Sequence, residues 1–429
     1  MDRLIIDQKL RPSENILLSL SHILLMNEYV APLIIAAAVG FGANETSNFM
    51  SVAFIGSGIA TFLMAVVFMK YPLILGSSFI PMGAVISIIL SLGYSYYIGA
   101  FLVSAILFFV LSLFRKFDKI IEFLIPKNIG AFIVIITGIS LIPIALEGQI
   151  FVVDNYSLNE NMTIAAITFV MMLVFTIIGG KNNNIGKFFK IAGTILAIAI
   201  GILFANNIRA IDLSIVSSAK FLKKVNFIGI NYDVKFNISA IVTMFVLFIV
   251  MISENTGSFI IAQNETGVNL EKDTINNGFI GISIVNIISS LIGSIPVSVF
   301  SSNAGMIKLT GSFSRHIYKL SGIILLIIGL SGKLMAFLTI IPKSVIGGVF
   351  IFVAGMIVVS GIRMIDMKAF NEKQGYILAI SIIISLYFSL IPESAFQNWG
   401  NFVRNLFSSS IAVGSITAML LNKLIPEKV

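Results

Sequence analysis

The chain repeats long runs of apolar residues that contain no Lys, Arg or Asp, and this pattern constrains its fold more than any other feature. A run of about 20 such residues is long enough to cross the hydrocarbon core of a bilayer as an α-helix. The composition agrees, because 57% of the residues are hydrophobic and 11% are charged, whereas about 25% of a typical soluble domain is charged. The sequence therefore predicts an all-α integral membrane protein.

The apolar runs predict fourteen membrane spans. They cover residues 16–39, 47–69, 72–93, 96–114, 128–146, 162–180, 186–208, 238–262, 275–292, 294–311, 318–340, 343–362, 374–391 and 405–425. Alternating connections place 20 of the 28 Lys and Arg residues on the side of the two termini. Because short cytoplasmic loops are enriched in Lys and Arg, both termini are predicted to be cytoplasmic. Residues 1–15 lack a cleavable apolar core, so the first span is expected to be retained.

Spans three and ten carry Pro, Gly and Ser at membrane depth. Span three includes Gly76, Ser77 and Ser78, and span ten follows Gly293 directly and includes Pro296. Non-helical backbone is tolerated there only where protein or a water-filled cavity satisfies its polar groups. Matching interruptions in two halves of a chain point to an inverted-repeat transporter with its binding site at the midplane. We therefore expect short extended breaks in both spans and a 7+7 repeat that pairs spans 1–7 with spans 8–14.

Two carboxylates lie inside apolar spans, Glu254 in span eight and Glu28 in span one. A carboxylate at that depth costs about 2.5–3.5 kcal/mol on insertion scales, so it needs a cavity, a partner or a proton. Glu254 is predicted to accept hydrogen bonds from a substrate, to titrate during transport, or both; a structural hydrogen bond from a protonated Glu254 is the alternative. Glu28 is a functional candidate with an open role. His22, also in span one, either holds backbone in a substrate cavity or is a satisfied polar residue of the bundle.

Two further candidates lie next to the breaks. Asn303 follows the break in span ten and is predicted to cap a half-helix, whose free N–H groups suit a carbonyl oxygen or an anion. Phe79 follows the break in span three and could stack against a planar ring, although many of the 36 phenylalanines serve only packing. Together with Glu254, these residues favour a small, flat, polar substrate such as a nucleobase.

Several functional classes are excluded or disfavoured. The chain has no cysteine and only two histidines, so Cys-ligated metals are excluded, and no metal site or cofactor is predicted. The net charge of +8 does not indicate nucleic-acid binding, because Lys and Arg lie in short loops between apolar runs. No catalytic set of side chains stands out, so an enzyme is not expected.

The sequence resembles the nucleobase–ascorbate transporters, also called the xanthine/uracil permease or nucleobase:cation symporter-2 family, over nearly its whole length. The segment 302–311 is similar to the family signature, in which Gln, Glu or Pro precedes Asn-x-Gly-x-x-x-x-Thr and then Arg, Lys or Gly. Segments 254–259 and 264–267 are similar to stretches of the xanthine and urate branch. Further matches are Ser21-His22, Gly76-Ser77-Ser78-Phe79, 139–143, 320–342 and 360–363.

The resemblance implies a core domain that carries the substrate and moves against a gate domain. This movement opens the substrate site to each side of the membrane in turn. The core is expected at 1–114 and 238–340, the gate at 115–208 and 341–429, and an extracellular loop at 209–237. The resemblance also implies a homodimer, a nucleobase substrate bound by Glu254 and Ser302 with support from Asn303, and coupling to H⁺ or Na⁺. Membrane lipids are the remaining expected partners.

This sequence differs from the family pattern at three positions, and these differences affect which of the family's residue roles apply to it. Ser302 stands where the signature has Gln, Glu or Pro, and it is too short for the bidentate contact that Gln or Glu makes with a base. Asn277 stands where the family often keeps a carboxylate, so coupling is expected to rest on Glu254, with Glu28 compensating. Ser258 replaces an Asp of the xanthine branch. The sequence predicts proton-coupled uptake of xanthine or urate across the cytoplasmic membrane; a uracil permease and an anion transporter or channel of the same architecture are the alternatives.

Overall fold

The computed structural model describes residues 6–114, 127–153, 155–181, 183–227, 233–300, 313–391, 395, 407 and 410–426. Ser302 and Asn303 lie outside these ranges, as does the half-helix predicted to begin there.

The described residues form sixteen named α-helices and two short strands. In chain order they are α1 Pro12–Met26, α2 Val30–Ala38, α3 Ala43–Leu63, β1 Leu75–Ser77, α4 Met82–Leu92, α5 Tyr94–Ser112, α6 Lys127–Ala145, α7 Leu158–Gly179, α8 Asn184–Ile208, α9 Ser214–Ser218, α10 Ile238–Thr266, α11 Lys272–Leu291, β2 Val297–Val299, α12 Arg315–Leu330, α13 Gly332–Thr339, α14 Lys343–Met364, α15 Glu372–Leu390 and α16 Ser410–Leu424. Helices α3 and α6 each continue into one π-helical turn, Met64–Phe68 and Leu146–Ile150.

Ten helical stretches of the described chain are long and apolar enough to cross a membrane, and one of them, Pro12–Ala38, comprises α1 and α2. Two further apolar helices, α4 and α16, are shorter. Such helices satisfy every backbone polar group internally, which is why a chain of this composition becomes helical. The prediction of a helical multi-pass membrane protein is confirmed, and the count of fourteen spans stays a prediction.

The chain divides into two compact units. The first comprises Met1–Ser78, Ala145–Asn231 and Ser258–Phe352. Here α1 packs on α12, where the Ser19 hydroxyl donates to the carbonyl of Ile317 at 2.9 Å. Helices α7 and α8 pack together through the rings of Phe175 and Phe189, whose centroids are 4.9 Å apart. This unit also contains both strands.

The second unit comprises Phe79–Ile144, Tyr232–Gly257 and Val353–Val429. Its core includes Phe101 of α5 and Phe248 of α10, with ring centroids 5.8 Å apart. The hydroxyls of Ser140 in α6 and Ser385 in α15 lie 2.7 Å apart, and Ser385 donates to the carbonyl of Ser410 at 2.8 Å. Hydrogen bonds from buried hydroxyls stabilise the packing of helices in a membrane, because the hydrophobic effect does not drive helices together in lipid. The predicted core and gate boundaries stay predictions.

Candidate functional site

The two strands pair with each other, and each lies within one of the Pro, Gly and Ser segments of the sequence. They are antiparallel, with Gly76 opposite Ser298 at the centre of the register. Beyond the strand ends, the amide of Ser78 donates to the carbonyl of Pro296 at 2.8 Å, and the amide of Phe300 donates to the carbonyl of Ile74 at 3.0 Å. Along their facing edges, the two strands therefore supply hydrogen-bond partners for each other's backbone N–H and C=O groups. Their outer edges need other partners, because extended backbone in a membrane protein cannot stay unpaired.

Side chains of neighbouring elements supply those partners for β1. The Thr61 hydroxyl of α3 donates to the carbonyl of Leu75 at 2.9 Å and accepts from its amide at 3.0 Å. The carboxylate of Glu28, between α1 and α2, accepts from the amide of Ser77 at 3.0 Å. The outer edge of β1 is thus covered by a hydroxyl at its first residue and a carboxylate at its last.

The outer edge of β2 is covered in the same manner. The side-chain amide of Asn286 in α11 accepts from the amide of Val297 at 2.9 Å and donates to its carbonyl at 3.0 Å. The hydroxyl of Ser258 in α10 donates to the carbonyl of Val299 at 3.2 Å. One side chain therefore satisfies both backbone groups of the first residue in each strand, and a second side chain binds the last residue.

Glu28 lies at the centre of a buried polar cluster. Its side chain is 2% exposed, and its Oε1 accepts from the hydroxyls of Ser57 and Ser77, each at 2.5 Å. With the Ser77 amide, the carboxyl group has three donors, and no Lys, Arg or His of the described residues forms an ion pair with it. A hydroxyl can donate or accept, so the cluster can hold the carboxyl group in its ionised or its protonated form.

Gly76 allows this cluster to form. A Cβ atom at this position would collide with Oε2 of Glu28 and with Cε of Met26, and it would also approach the ring of Phe300. The absence of a side chain therefore lets the Glu28 carboxyl group reach the strand backbone.

His22 lies in the packed interior of the first unit. Its ring is completely buried, with its centroid 4.8 Å from that of Tyr318 in α12. Its Nε2 atom is 3.5 Å from the Tyr318 hydroxyl. The structure therefore places His22 against α12, and the predicted role in substrate binding stays a prediction.

The other predicted residues differ in their exposure. Ser78 is buried directly after β1, and Phe79 is half-buried before α4. Glu254 is half-buried in α10, one helical turn before Ser258, so the two side chains share a face of that helix. Asn277 is exposed in α11. The structure thus brings Glu28 and Ser78 to β1; the roles predicted for Glu254, Phe79 and Asn277 stay predictions.

Sequence reasoning missed four of the residues that support the strands: Ser57, Thr61, Ser77 as a partner of Glu28, and Asn286. Asn286 carries a usable signal, since it is an amide flanked on both sides by apolar residues in the middle of the run 275–292, nine residues after Asn277. Thr61 carries none, because a threonine in a helix commonly bonds its own backbone.

Known proteins resemble this chain over most of its length. The xanthine permease of Bacillus subtilis is 27% identical over 94% of this chain and 92% of its own. The uric acid permease PucK of the same organism is 29% identical over 96% of this chain and 95% of its own. The uracil permease of Paenibacillus larvae is 28% identical over 82% of each chain. These relatives are permeases, so the comparisons indicate a transporter and not an enzyme.

The fold is also found among solved transporters. The transmembrane domain of the cyanobacterial bicarbonate transporter BicA superimposes with a TM-score of 0.62, over 97% of this chain and 98% of that one, at 14% identity. At that identity the likeness shows a common fold alone. The sequence model of the permease family named Xan_ur_permease matches residues 13–394. The chain belongs to this permease family, as its resemblance to the xanthine/uracil permeases predicted.

Proposed function

We propose that this protein takes up a purine nucleobase, with xanthine or urate preferred to uracil, across the cytoplasmic membrane by proton-coupled alternating access. The family and the xanthine and uric acid permeases among its relatives support a nucleobase substrate. The observation that carries the proposal is the strand pair whose outer edges are covered by side chains. Such backbone marks an interior site in a membrane transporter.

Glu254 is the residue we propose to bind the base, together with Ser78, Phe79 and Ser302. Asn303 and His22 support this site. A carboxylate accepts from the ring N–H groups of a purine, and an aromatic ring stacks on its face. Charge-assisted hydrogen bonds of this kind are about twice as strong as neutral ones. Glu254 therefore separates the proposal from a carrier of inorganic anions, since such anions offer a carboxylate no ring N–H groups to bind.

The sequence predicts that coupling rests on Glu254 with Glu28 compensating; we propose instead that Glu28 carries the coupling proton. Asn277 takes no part in proton transfer because an amide does not titrate. The carboxyl group is buried without a cation among the described residues, so its ionised form is costly in the membrane. A proton from water on one side binds the carboxylate and leaves to water on the other side. Because the same carboxyl group accepts from the backbone of Ser77, its protonation alters the support of β1 next to Ser78.

The arrangement in the membrane completes the proposal. Both termini are cytoplasmic, in accordance with the distribution of Lys and Arg. The protein forms a homodimer in the lipid bilayer, as the family resemblance implies. Cysteine labelling of Lys9→Cys in intact cells tests the orientation: a membrane-impermeant reagent should fail to modify it.

Uptake of labelled xanthine into proteoliposomes with an alkaline interior tests the substrate. We expect accumulation that a protonophore abolishes, competition by unlabelled urate or hypoxanthine, and little competition by uracil. Glu254→Gln should abolish uptake, whereas the matched variant Glu147→Gln, at an exposed glutamate, should retain it. Uptake of labelled bicarbonate without uptake of xanthine would overturn the proposal in favour of an anion carrier.

A comparison of xanthine exchange with xanthine accumulation tests the coupling of transport to protons. In Glu28→Gln, exchange of xanthine for xanthine should persist, because it needs no net proton flux, and accumulation driven by a pH gradient should be lost. A variant that still accumulates xanthine in response to the gradient would contradict the role of Glu28. Modification of apo protein by dicyclohexylcarbodiimide, which attacks protonated buried carboxyl groups, gives a readout that needs no substrate: labelling of Glu28 should fall as pH rises.

A further inference from the structure

The connection between α8 and α10 carries large apolar side chains that its own fold leaves uncovered. Phe221 is 78% exposed, and Leu222 beside it is 73% exposed. Single exposed apolar residues are common, but two large exposed neighbours form a contiguous apolar patch, and such patches mark contacts with proteins or membranes. We call these two residues the apolar tip.

The apolar tip is held in place by backbone hydrogen bonds. Leu222 forms a β-bridge with Ser331. The amide of Gly332 donates to the carbonyl of Phe221 at 2.9 Å, and the amide of Lys223 donates to the carbonyl of Leu330 at 3.0 Å. A Cβ atom on Gly332 would collide with the carbonyl oxygen of Lys220, so a glycine is needed for this approach.

The same loop is also fixed to the first turns of α3. The side chain of Asn48 donates to the carbonyl of Asn226 and accepts from its amide, both at 2.9 Å. Lys223 Nζ donates to the Ser47 hydroxyl at 2.7 Å. The exposure of Phe221 and Leu222 is therefore a property of a well-anchored loop.

The loop lies where helices leave the membrane. Helix α3 begins at Ala43, close to Ser47 and Asn48, and α8 ends at Ile208, directly before the loop. Both helices are long and apolar enough to cross a bilayer. Their ends therefore lie at a membrane surface, and the loop fixed to them lies there too.

The charge around the apolar tip is positive. Segment 209–227 contains four cationic side chains and one carboxylate, a net charge of +3. Lys220 and Lys224 are exposed, and Lys333 Nζ lies 5.1 Å from the centroid of the Phe221 ring. Burial lowers the pKa of Lys223 to about 8, so this ammonium group also remains largely charged at neutral pH.

We propose that this loop is an interfacial anchor, in which Phe221 and Leu222 enter the boundary between headgroups and acyl chains while Lys220 and Lys224 bind anionic lipid headgroups. Apolar side chains flanked by lysines have the chemistry of segments that bind the surface of anionic membranes. A rigid anchor of this kind fixes the height of the α3 and α8 ends relative to the lipid. The inference is independent of the transported substrate.

Site-directed spin labelling tests this proposal, and the chain suits it because it contains no native cysteine. Single labels are placed at Phe221→Cys and Leu222→Cys in vesicles of phosphatidylcholine with or without phosphatidylglycerol. Asp212→Cys, in the same loop, serves as the aqueous control. Ile177→Cys, 71% exposed on α7, serves as the lipid-facing control. Accessibility to oxygen reports lipid, and accessibility to a nickel chelate reports water.

Labels at the apolar tip should resemble Ile177→Cys more than Asp212→Cys in vesicles with phosphatidylglycerol. Removing either lysine, as Lys220→Gln or Lys224→Gln, should shift the insertion equilibrium by about fivefold toward water. Nickel accessibility equal to that of Asp212→Cys in both lipids would overturn the proposal. Labels shielded from both reagents would also overturn it, because they would show a protein contact such as a second copy of the chain.

Discussion

Thr61 and Asn286 are expected to be two of the most sensitive polar positions in the first unit. Thr61→Val and Asn286→Leu nearly conserve volume, but each removes the partners of two buried backbone groups, those of Leu75 or Val297. Leaving one such group unsatisfied costs about 1–3 kcal/mol, so each substitution should lower the free energy of unfolding by about 2–6 kcal/mol.

Ser51→Ala is the matched control. Its hydroxyl is buried and donates at 3.0 Å to the carbonyl of Ser47, one turn back in α3. That carbonyl belongs to a helix and has a backbone amide within reach, so the variant leaves no backbone group without a partner. We expect its free energy of unfolding to change by about 1 kcal/mol or less.

Unfolding by dodecyl sulfate in mixed micelles, followed by far-UV circular dichroism, measures these differences. The double variant of Thr61 and Asn286 should lose less stability than the two single losses together, because both residues support one strand pair. If Thr61→Val and Asn286→Leu are both as stable as Ser51→Ala, the strand edges do not depend on these side chains, and the reasoning fails.

Three further variants test individual contacts. Gly76→Ala should abolish uptake because its Cβ collides with Glu28 and Met26, whereas Gly148→Ala, with open space around it, should transport normally; the proteoliposome assay compares them. Ser258→Ala should lower the free energy of unfolding by about 1 kcal/mol, less than Asn286→Leu, in the micelle titration. Burial lowers the pKa of Lys223 from 10.5 to about 8. Between these two pH values the unfolded chain binds more protons than the folded chain, so the free energy of unfolding should rise with pH. Lys223→Gln should remove this rise when the free energy of unfolding is measured from pH 7 to 11.

The helical part of the fold could be predicted because its cause is local. An apolar run of sufficient length must become a helix in a bilayer, and the runs at 47–69 and 186–208 correspond to α3 with its π-helical turn and to α8. Helix ends differ by a few residues: α3 begins at Ala43, where Glu45 accepts from the amide of Gly42 in a capping interaction that hydropathy does not register.

The environment of Glu28 could not be predicted because its partners are distant in sequence. An unpaired carboxylate in span one indicates a cavity, a partner or a proton, and nothing in the sequence chooses between them. The choice depends on Ser57 and Ser77, which are 29 and 49 residues away. The same holds for Asn286, since its amide reaches Val297 only after α11 has ended and the chain has turned back.

The strand pair also sets an order for assembly in the membrane. Gly76 and its partner Ser298 are 222 residues apart, from 76 to 298, and a ribosome that adds about 5–20 residues per second needs roughly 10–45 s to make that interval. Thr61 and Glu28 precede β1 and can cover its outer edge during this time, but its inner edge has no partner until β2 has been inserted. Until the second half is inserted, the inner edge of β1 must therefore stay hydrated or bound by a chaperone. The first half of the chain depends on the second half to complete the strand pair.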